Sequence, residues 1–285
     1  MEKKAILPNI FTALSLSCGL FVIFKMSMVQ PGAASYQIVF SSVCVLLFAA
    51  FLDLMDGAIA RAMKAESEFG CIFDSMSDAV SFGVAPAALV LKTHSCQPGT
   101  LLSFALTTGA MIYAISGVLR LVRYTVNSHE IQGDQKKMAL AKANFTGLPI
   151  PAAASITTST TLLLVTDEFT TRFGITDDVR AIIAALVFVV IGFFMVSRWK
   201  FPSLKALHMR VSSFTVVALT AVVAVAILVG VWHHFPYVLA GIAWSYFILA
   251  LLLSFVRLIS GKKSSVLEDF EPEEEQEEGQ QEGPK

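Results

Sequence analysis

Residues 36–78 read YQIVFSSVCVLLFAAFLDLMDGAIARAMKAESEFGCIFDSMSD. The first 17 of them carry no charge, and the uncharged run ends in Asp53 and Asp56. A short polar stretch follows, and the next apolar segment opens with Asp74 and Asp78. A helix needs about 20 mainly apolar residues to cross the hydrocarbon core of a bilayer. Residues 36–60 meet that length, and similar runs occur at 7–30, 71–91, 100–126, 146–166, 180–198, 211–232 and 236–259. The expectation is therefore an all-α polytopic integral membrane protein with about eight transmembrane helices. The fifth run is the weakest, being rich in Thr and Ser and opening with Pro149 and Pro151. The first has Lys3 and Lys4 ahead of it, as a signal peptide would, but shows no good cleavage pattern and reads as a retained span.

Composition agrees with the spans. Of 285 residues, 55% are hydrophobic and only 15% charged, against the roughly 25% charged residues of a soluble domain. That balance also excludes a disordered or collagen-like chain, and four dispersed cysteines exclude a disulfide scaffold. Cys18, Cys44, Cys71 and Cys96 read as small buried hydrophobes. The five histidines read as loop or interface residues. The net charge of −1 hides two unlike parts. Residues 266–285 hold nine acids and one base, so the other 265 residues carry +7. The acidic segment 263–285 is expected to be a disordered tail.

Cytoplasmic loops are enriched in Lys and Arg. With the N-terminus inside, the inner segments hold 17 of the 21 basic residues, among them Arg61, Arg120, Arg123, Lys136, Lys137 and Lys142. The outer loops hold only Lys92, Arg172 and Arg180, and Lys25 lies near the outer end of the first span. Both termini are expected in the cytoplasm.

Outside the tail, four acids lie in apolar segments: Asp53, Asp56, Asp74 and Asp78. Intramembrane carboxylates are costly and mark functional sites, although a single Asp near a helix end can simply reach interfacial water. Spacings of three and four place each pair on one helix face, and a short loop over 62–70 makes the two helices an antiparallel hairpin. Both pairs then lie at similar depth. Four carboxylates without a cation among them repel, and an all-oxygen donor set suits Mg²⁺, Mn²⁺ or Ca²⁺. Two metals sharing carboxylates would suit phosphoryl displacement, and a proton relay is the competing use.

The full pattern is Asp53-x2-Asp56-Gly57-x2-Ala60-Arg61-x8-Gly70-x3-Asp74-x3-Asp78. It resembles the signature of the CDP-alcohol phosphatidyltransferase family at every fixed position. The resemblance implies displacement of CMP from a CDP-linked lipid by an alcohol hydroxyl. It implies one divalent cation held by Asp53, Asp56 and Asp74 and a second by Asp53, Asp74 and Asp78. The ions would be Mg²⁺ or Mn²⁺, with Ca²⁺ also able to occupy the site. Asp78 would be the catalytic base, and Asp53, Gly57, Ala60, Arg61 and Gly70 would lie along the CDP diphosphate.

The run Ser81-Phe-Gly-Val-Ala-Pro86 after the last aspartate resembles the phosphatidylserine synthase branch. So do Leu7–Thr12, Phe145–Ala154 and Ser197–Lys205. The partners thereby implied are CDP-diacylglycerol, L-serine, membrane lipids and a second copy in a homodimer, with no nucleic acid. The location implied is a bacterial-type inner membrane, with the active site facing the cytoplasm. Residues 1–205 would form the catalytic membrane domain, and 206–262 would add C-terminal helices without a recognisable motif. Arg120-Leu-Val-Arg-Tyr-Thr125 carries Thr where the branch usually has Asn. Arg120 and Arg123 either anchor the cytoplasmic helix end or bind lipid phosphate or the serine carboxylate. Asn9 and Thr12 either contact substrate or satisfy the first helix's N-terminus. Two alternatives stand beside this reading. One is the same chemistry with glycerol 3-phosphate or inositol phosphate as acceptor. The other is a cation-coupled transporter, for which no second copy of the Asp motif is found.

Overall fold

The structure, a computed structural model, describes residues 6–63, 65, 67–94, 96–97, 99–130, 145–197, 200–201 and 234–252. Described residues are almost all helical. Helix α1 spans Ile6–Ser27, α2 Tyr36–Met63 and α3 Glu68–Asp78. A π-helical segment, Ala79–Val84, joins α3 to α4, Ala85–Thr93. Next come α5 (Leu101–Glu130), α6 (Ile150–Val165), α7 (Asp167–Phe173), α8 (Asp177–Val196) and α9 (His234–Leu252). The only pairing of extended chain among the described residues is antiparallel, between β1 (Phe145–Thr146) and β2 (Lys200–Phe201). It departs from a purely helical expectation by two residues on each side.

Five of these helices are long and apolar enough to cross a bilayer: α1, α2, residues 101–126 of α5, α8 and α9. The chain is a polytopic integral membrane protein. The expected run 71–91 is helical but in three pieces, and the expected run 211–232 lies outside the described residues, as do the acidic tail and Lys136, Lys137 and Lys142.

Local chemistry explains the break after Asp78. In an α-helix the N–H of residue 86 would donate to the carbonyl of residue 82. Residue 86 is proline, which has no N–H and whose ring crowds that carbonyl. The helix widens to a π turn at this point, and the Tyr113 hydroxyl donates to the Phe82 carbonyl oxygen at 2.8 Å. Tyr113 and Phe82 are both fully buried, so this carbonyl has no water to turn to.

Helix α6, the weakest run by composition, lies in the interior. Its hydroxyls donate to carbonyls one turn back: Thr157 to Ala153 (2.8 Å), Thr158 to Ala154 (2.7 Å), Thr160 to Ile156 (2.7 Å) and Thr161 to Thr157 (2.9 Å). Such back-bonding hides polar side chains in an apolar setting. Around α6, one apolar cluster joins residues of α5, α8 and α9, including Phe188, Ile191 and Phe247. A second joins α1, α2 and α4 through Val22, Val43 and Leu89. All four cysteines are half-buried.

Candidate functional site

The hairpin of α2 and α3 brings the four aspartates together. It is tighter than the sequence implies, because α2 runs on to Met63 and α3 starts at Glu68. Ser67 caps α3, its Oγ accepting from the Gly70 N–H at 3.1 Å. Carboxylate oxygens of Asp53, Asp56 and Asp74 lie within 4.8 Å of one another. Asp53 also lies against Asp78, so it stands between the two members of the α3 pair. The single salt bridge among the described residues, Arg180 to Asp177, is elsewhere, and none of the four carboxylates is neutralised that way. Asp74 Oδ1 and Asp78 Oδ1 are buried without a hydrogen-bond partner. Orphaned oxygens in a like-charged, all-oxygen cluster are what a hard divalent cation would satisfy, so the residues present fit such an ion.

Helix α1 lays its N-terminal end across this hairpin. Thr12, 3% exposed, donates its hydroxyl to Asp56 Oδ2 at 2.7 Å, with the Pro8 carbonyl as a longer alternative at 3.2 Å. Ser77 Oγ donates to the Thr12 carbonyl (3.2 Å), and Ser81 Oγ to the Ser15 carbonyl (3.1 Å). Ser15 in turn donates to the Ala49 carbonyl of α2 at 3.1 Å. These bonds tie α1 to both sides of the aspartate hairpin.

Two glycines of the motif permit close approaches. A Cβ on Gly57 would stand 3.3 Å from Arg61 Nη1, so the exposed Arg61 side chain folds back over the α2 backbone there. A Cβ on Gly70 would stand 3.0 Å from Ser67 Oγ and 3.3 Å from Asn9 Oδ1. Gly70 thus lets α1 descend onto the first turn of α3. Asn9 Nδ2 is buried there without a partner. Ala60 is half-buried on α2, three residues after Gly57.

The two arginines of α5 part company. Arg120 is largely buried, with Nε enclosed and unpartnered, and its electrostatic neighbours are Asp78, Tyr124 and Tyr246. Arg123 is exposed, and its Nη1 donates to the Val196 carbonyl at the end of α8 at 3.1 Å. That contact is a helix C-terminal cap and lies apart from the carboxylates. Thr125, which stands where Asn is usual, has its Oγ1 3.3 Å from Ser75 Oγ on α3. It thereby links α5 to the helix that carries Asp74 and Asp78.

Sequence reading missed Tyr113, Ser77, Ser81 and Tyr246. The only advance signal was Pro86, whose missing donor requires a partner for Phe82.

The chain is similar to known proteins over most of its length. Residues 5–192 match the family described as CDP-alcohol phosphatidyltransferase. The chain is 31% identical over 212 residues to the CDP-diacylglycerol–serine O-phosphatidyltransferase of Helicobacter pylori (strain ATCC 700392 / 26695), covering 74% of this chain and 77% of that protein. It is 30% identical over 199 residues to the protein of the same name from Bacillus subtilis (strain 168), covering 70% and 91%. To that of Mycobacterium tuberculosis (strain ATCC 25618 / H37Rv) it is 37% identical over 151 residues, covering 52% and 46%.

Proposed function

This chain belongs to the CDP-alcohol phosphatidyltransferase family, and we propose that its acceptor is serine. The reaction moves the phosphatidyl group of CDP-diacylglycerol onto the serine hydroxyl, giving phosphatidylserine and CMP. The observation that carries this reading is the gathering of Asp53, Asp56 and Asp74 from two helices, with Asp78 against Asp53 and no salt bridge to any of the four among the described residues. Names of relatives point to serine as the alcohol.

Asp53, Asp56 and Asp74 would hold one divalent ion and Asp53, Asp74 and Asp78 a second, with Mg²⁺ and Mn²⁺ suited to the oxygen donors. When bound, such ions neutralise the diphosphate and the departing CMP. The remaining work falls to the chain itself. Asp78 accepts the proton of the attacking serine hydroxyl, an alcohol far too weakly acidic to ionise unaided near neutral pH. Arg61, folded over Gly57, offers its guanidinium to the diphosphate. Asn9, beside Gly70, has a free amide donor for the nucleotide side of the site. Arg120, an electrostatic neighbour of Asp78, would hold the serine carboxylate. Thr12 serves by fixing Asp56, and Arg123 by capping α8.

The spans are assigned as eight, with both termini and the aspartates on the cytoplasmic side of a bacterial-type inner membrane. The distribution of Lys and Arg supports that orientation. A homodimer is part of the same reading, as are a catalytic domain over 1–205 and added helices over 206–262. The test is enzymatic. Purified protein with Mn²⁺ or Mg²⁺, CDP-diacylglycerol and serine should release CMP, and Asp78→Asn should slow release at least ~100-fold. Release with glycerol 3-phosphate or inositol phosphate but not serine would overturn the choice of acceptor.

A further inference from the structure

Helix α9 lies beyond residue 192, where the family match ends. It is nevertheless locked against the catalytic helices. Ala243, Phe247 and Ala250 enter the main apolar cluster. The Phe247 ring meets Phe194 edge-on at 5.1 Å, and Trp244 Nε1 donates to Thr160 Oγ1 of α6 at 2.9 Å. Between these anchors stands Tyr246, half-buried and close enough to Arg120 to feel its charge. Among the described residues its hydroxyl has no hydrogen-bond partner.

Arg120 presents the complementary problem. A largely buried guanidinium is costly unless an anion pairs with it. Asp78 is a neighbour but forms no ion pair with it, and the buried Nε has no partner. Among the described residues no anion pairs with it, and a substrate carboxylate would supply one. The place of Arg120 beside Asp78 identifies which substrate, because the proton acceptor must stand next to the attacking hydroxyl. In serine the carboxylate and hydroxyl are separated by only two carbons, so one acceptor can present its hydroxyl to Asp78 and its carboxylate to Arg120, the electrostatic neighbour of Asp78. Arg61, folded over Gly57, is left for the diphosphate.

We infer that Tyr246 is a specificity-determining residue: its phenol donates to the acceptor carboxylate that Arg120 holds. This rests on the serine reading above. A site that presents a guanidinium and a hydroxyl to one carboxylate rejects acceptors lacking it, since the buried Arg120 Nε would then stay unpaired and the Tyr246 hydroxyl would lose its charged acceptor.

The test uses the full chain and follows CMP release from CDP-diacylglycerol with serine or serinamide, which lacks the carboxylate, as acceptor. Tyr246→Phe should raise KM for serine about tenfold or more, as expected for one hydrogen bond to a charged group. kcat and KM for CDP-diacylglycerol should stay within about twofold, a neutral-substitution tolerance set from the same scale. The ratio of kcat/KM for serine over serinamide should fall by a similar factor, and that ratio does not depend on how much protein is folded. An unchanged ratio overturns the inference. A rise confined to KM for CDP-diacylglycerol overturns it too, assigning Tyr246 to the lipid phosphate. Failure of the unaltered protein to use serine refutes the serine reading itself, a different result from an unmoved ratio.

Discussion

Replacing Thr12 with valine tests whether α1 acts on the metal site through Asp56. The exchange keeps the branched shape and removes one hydroxyl. That hydroxyl has a single proton, and its short 2.7 Å contact to Asp56 Oδ2 takes it in preference to Pro8 at 3.2 Å. Both residues are nearly inaccessible, Thr12 at 3% and Asp56 at 5%, so water cannot replace the lost donor. A hydrogen bond to a charged group contributes about 1.5–3 kcal/mol. Loss of the partner that orients a metal-binding carboxylate typically weakens metal affinity about 10–100-fold. In a titration of CMP release with Mn²⁺ or Mg²⁺, the half-saturating concentration should rise by that factor. Rate at saturating metal should recover to within about threefold of the original, because Asp78 is untouched. Melting temperature offers a readout free of catalysis. At fixed metal well above Kd, each tenfold loss of affinity removes about 1.4 kcal/mol of metal-induced stabilisation. Thr12→Ser, which retains the hydroxyl, should track the unaltered protein. The reasoning is refuted if the valine variant leaves the metal curve in place. A rise in KM for serine alone would also refute it and would make Thr12 a substrate ligand.

Three further outcomes follow from the geometry. Tyr113→Phe leaves the Phe82 carbonyl buried and unpaired, so it should cost about 1–3 kcal/mol in a melting experiment and lower kcat, since the π segment begins right after Asp78; equal stability would show that another donor serves Phe82. Chelation should lower the melting temperature of the unaltered protein, because four carboxylates are then left to repel one another, and Asp53→Asn should reduce that sensitivity; a chelator effect unchanged by Asp53→Asn would count against a shared ligand. His94, 3% exposed at the end of α4, has its pKa pulled from 6.5 to about 4 by burial and then by the Arg180 guanidinium, with Asp177 opposing. The folded protein thus holds His94 neutral where the unfolded chain protonates it. The associated stability is complete above pH 6.5 and drains away as pH falls towards 4, by about 3 kcal/mol. His94→Gln should flatten the fall in melting temperature over that window, and parallel curves would refute the assignment.

Which parts of this arrangement were legible beforehand follows from the range of the forces involved. Apolar length and the four aspartates are local properties, so 36–60 and the pairs at 53/56 and 74/78 could be read directly. Helical spacing alone set each pair on one face, and a short connection set the two faces together. The residues that position the site act over long sequence distances and carry no local mark. Thr12 reaches Asp56 across 44 positions, Tyr113 reaches Phe82 across 31 and Trp244 reaches Thr160 across 84. Thr12 could equally have bonded substrate or its own helix end, and only a distance separates those cases. His94 read as a loop residue because its burial comes from the start of α8, more than 80 residues away. Helix α6 read as weak because composition counts hydroxyls as polar, whereas each donates to a carbonyl one turn back. Pro86 is the intermediate case. Proline in a span announces an orphaned carbonyl four residues earlier, yet a kink, a water or a hydroxyl from another helix could each answer it. The hydroxyl of Tyr113 answers it here, and so the helix can widen immediately after Asp78 without leaving a buried carbonyl bare.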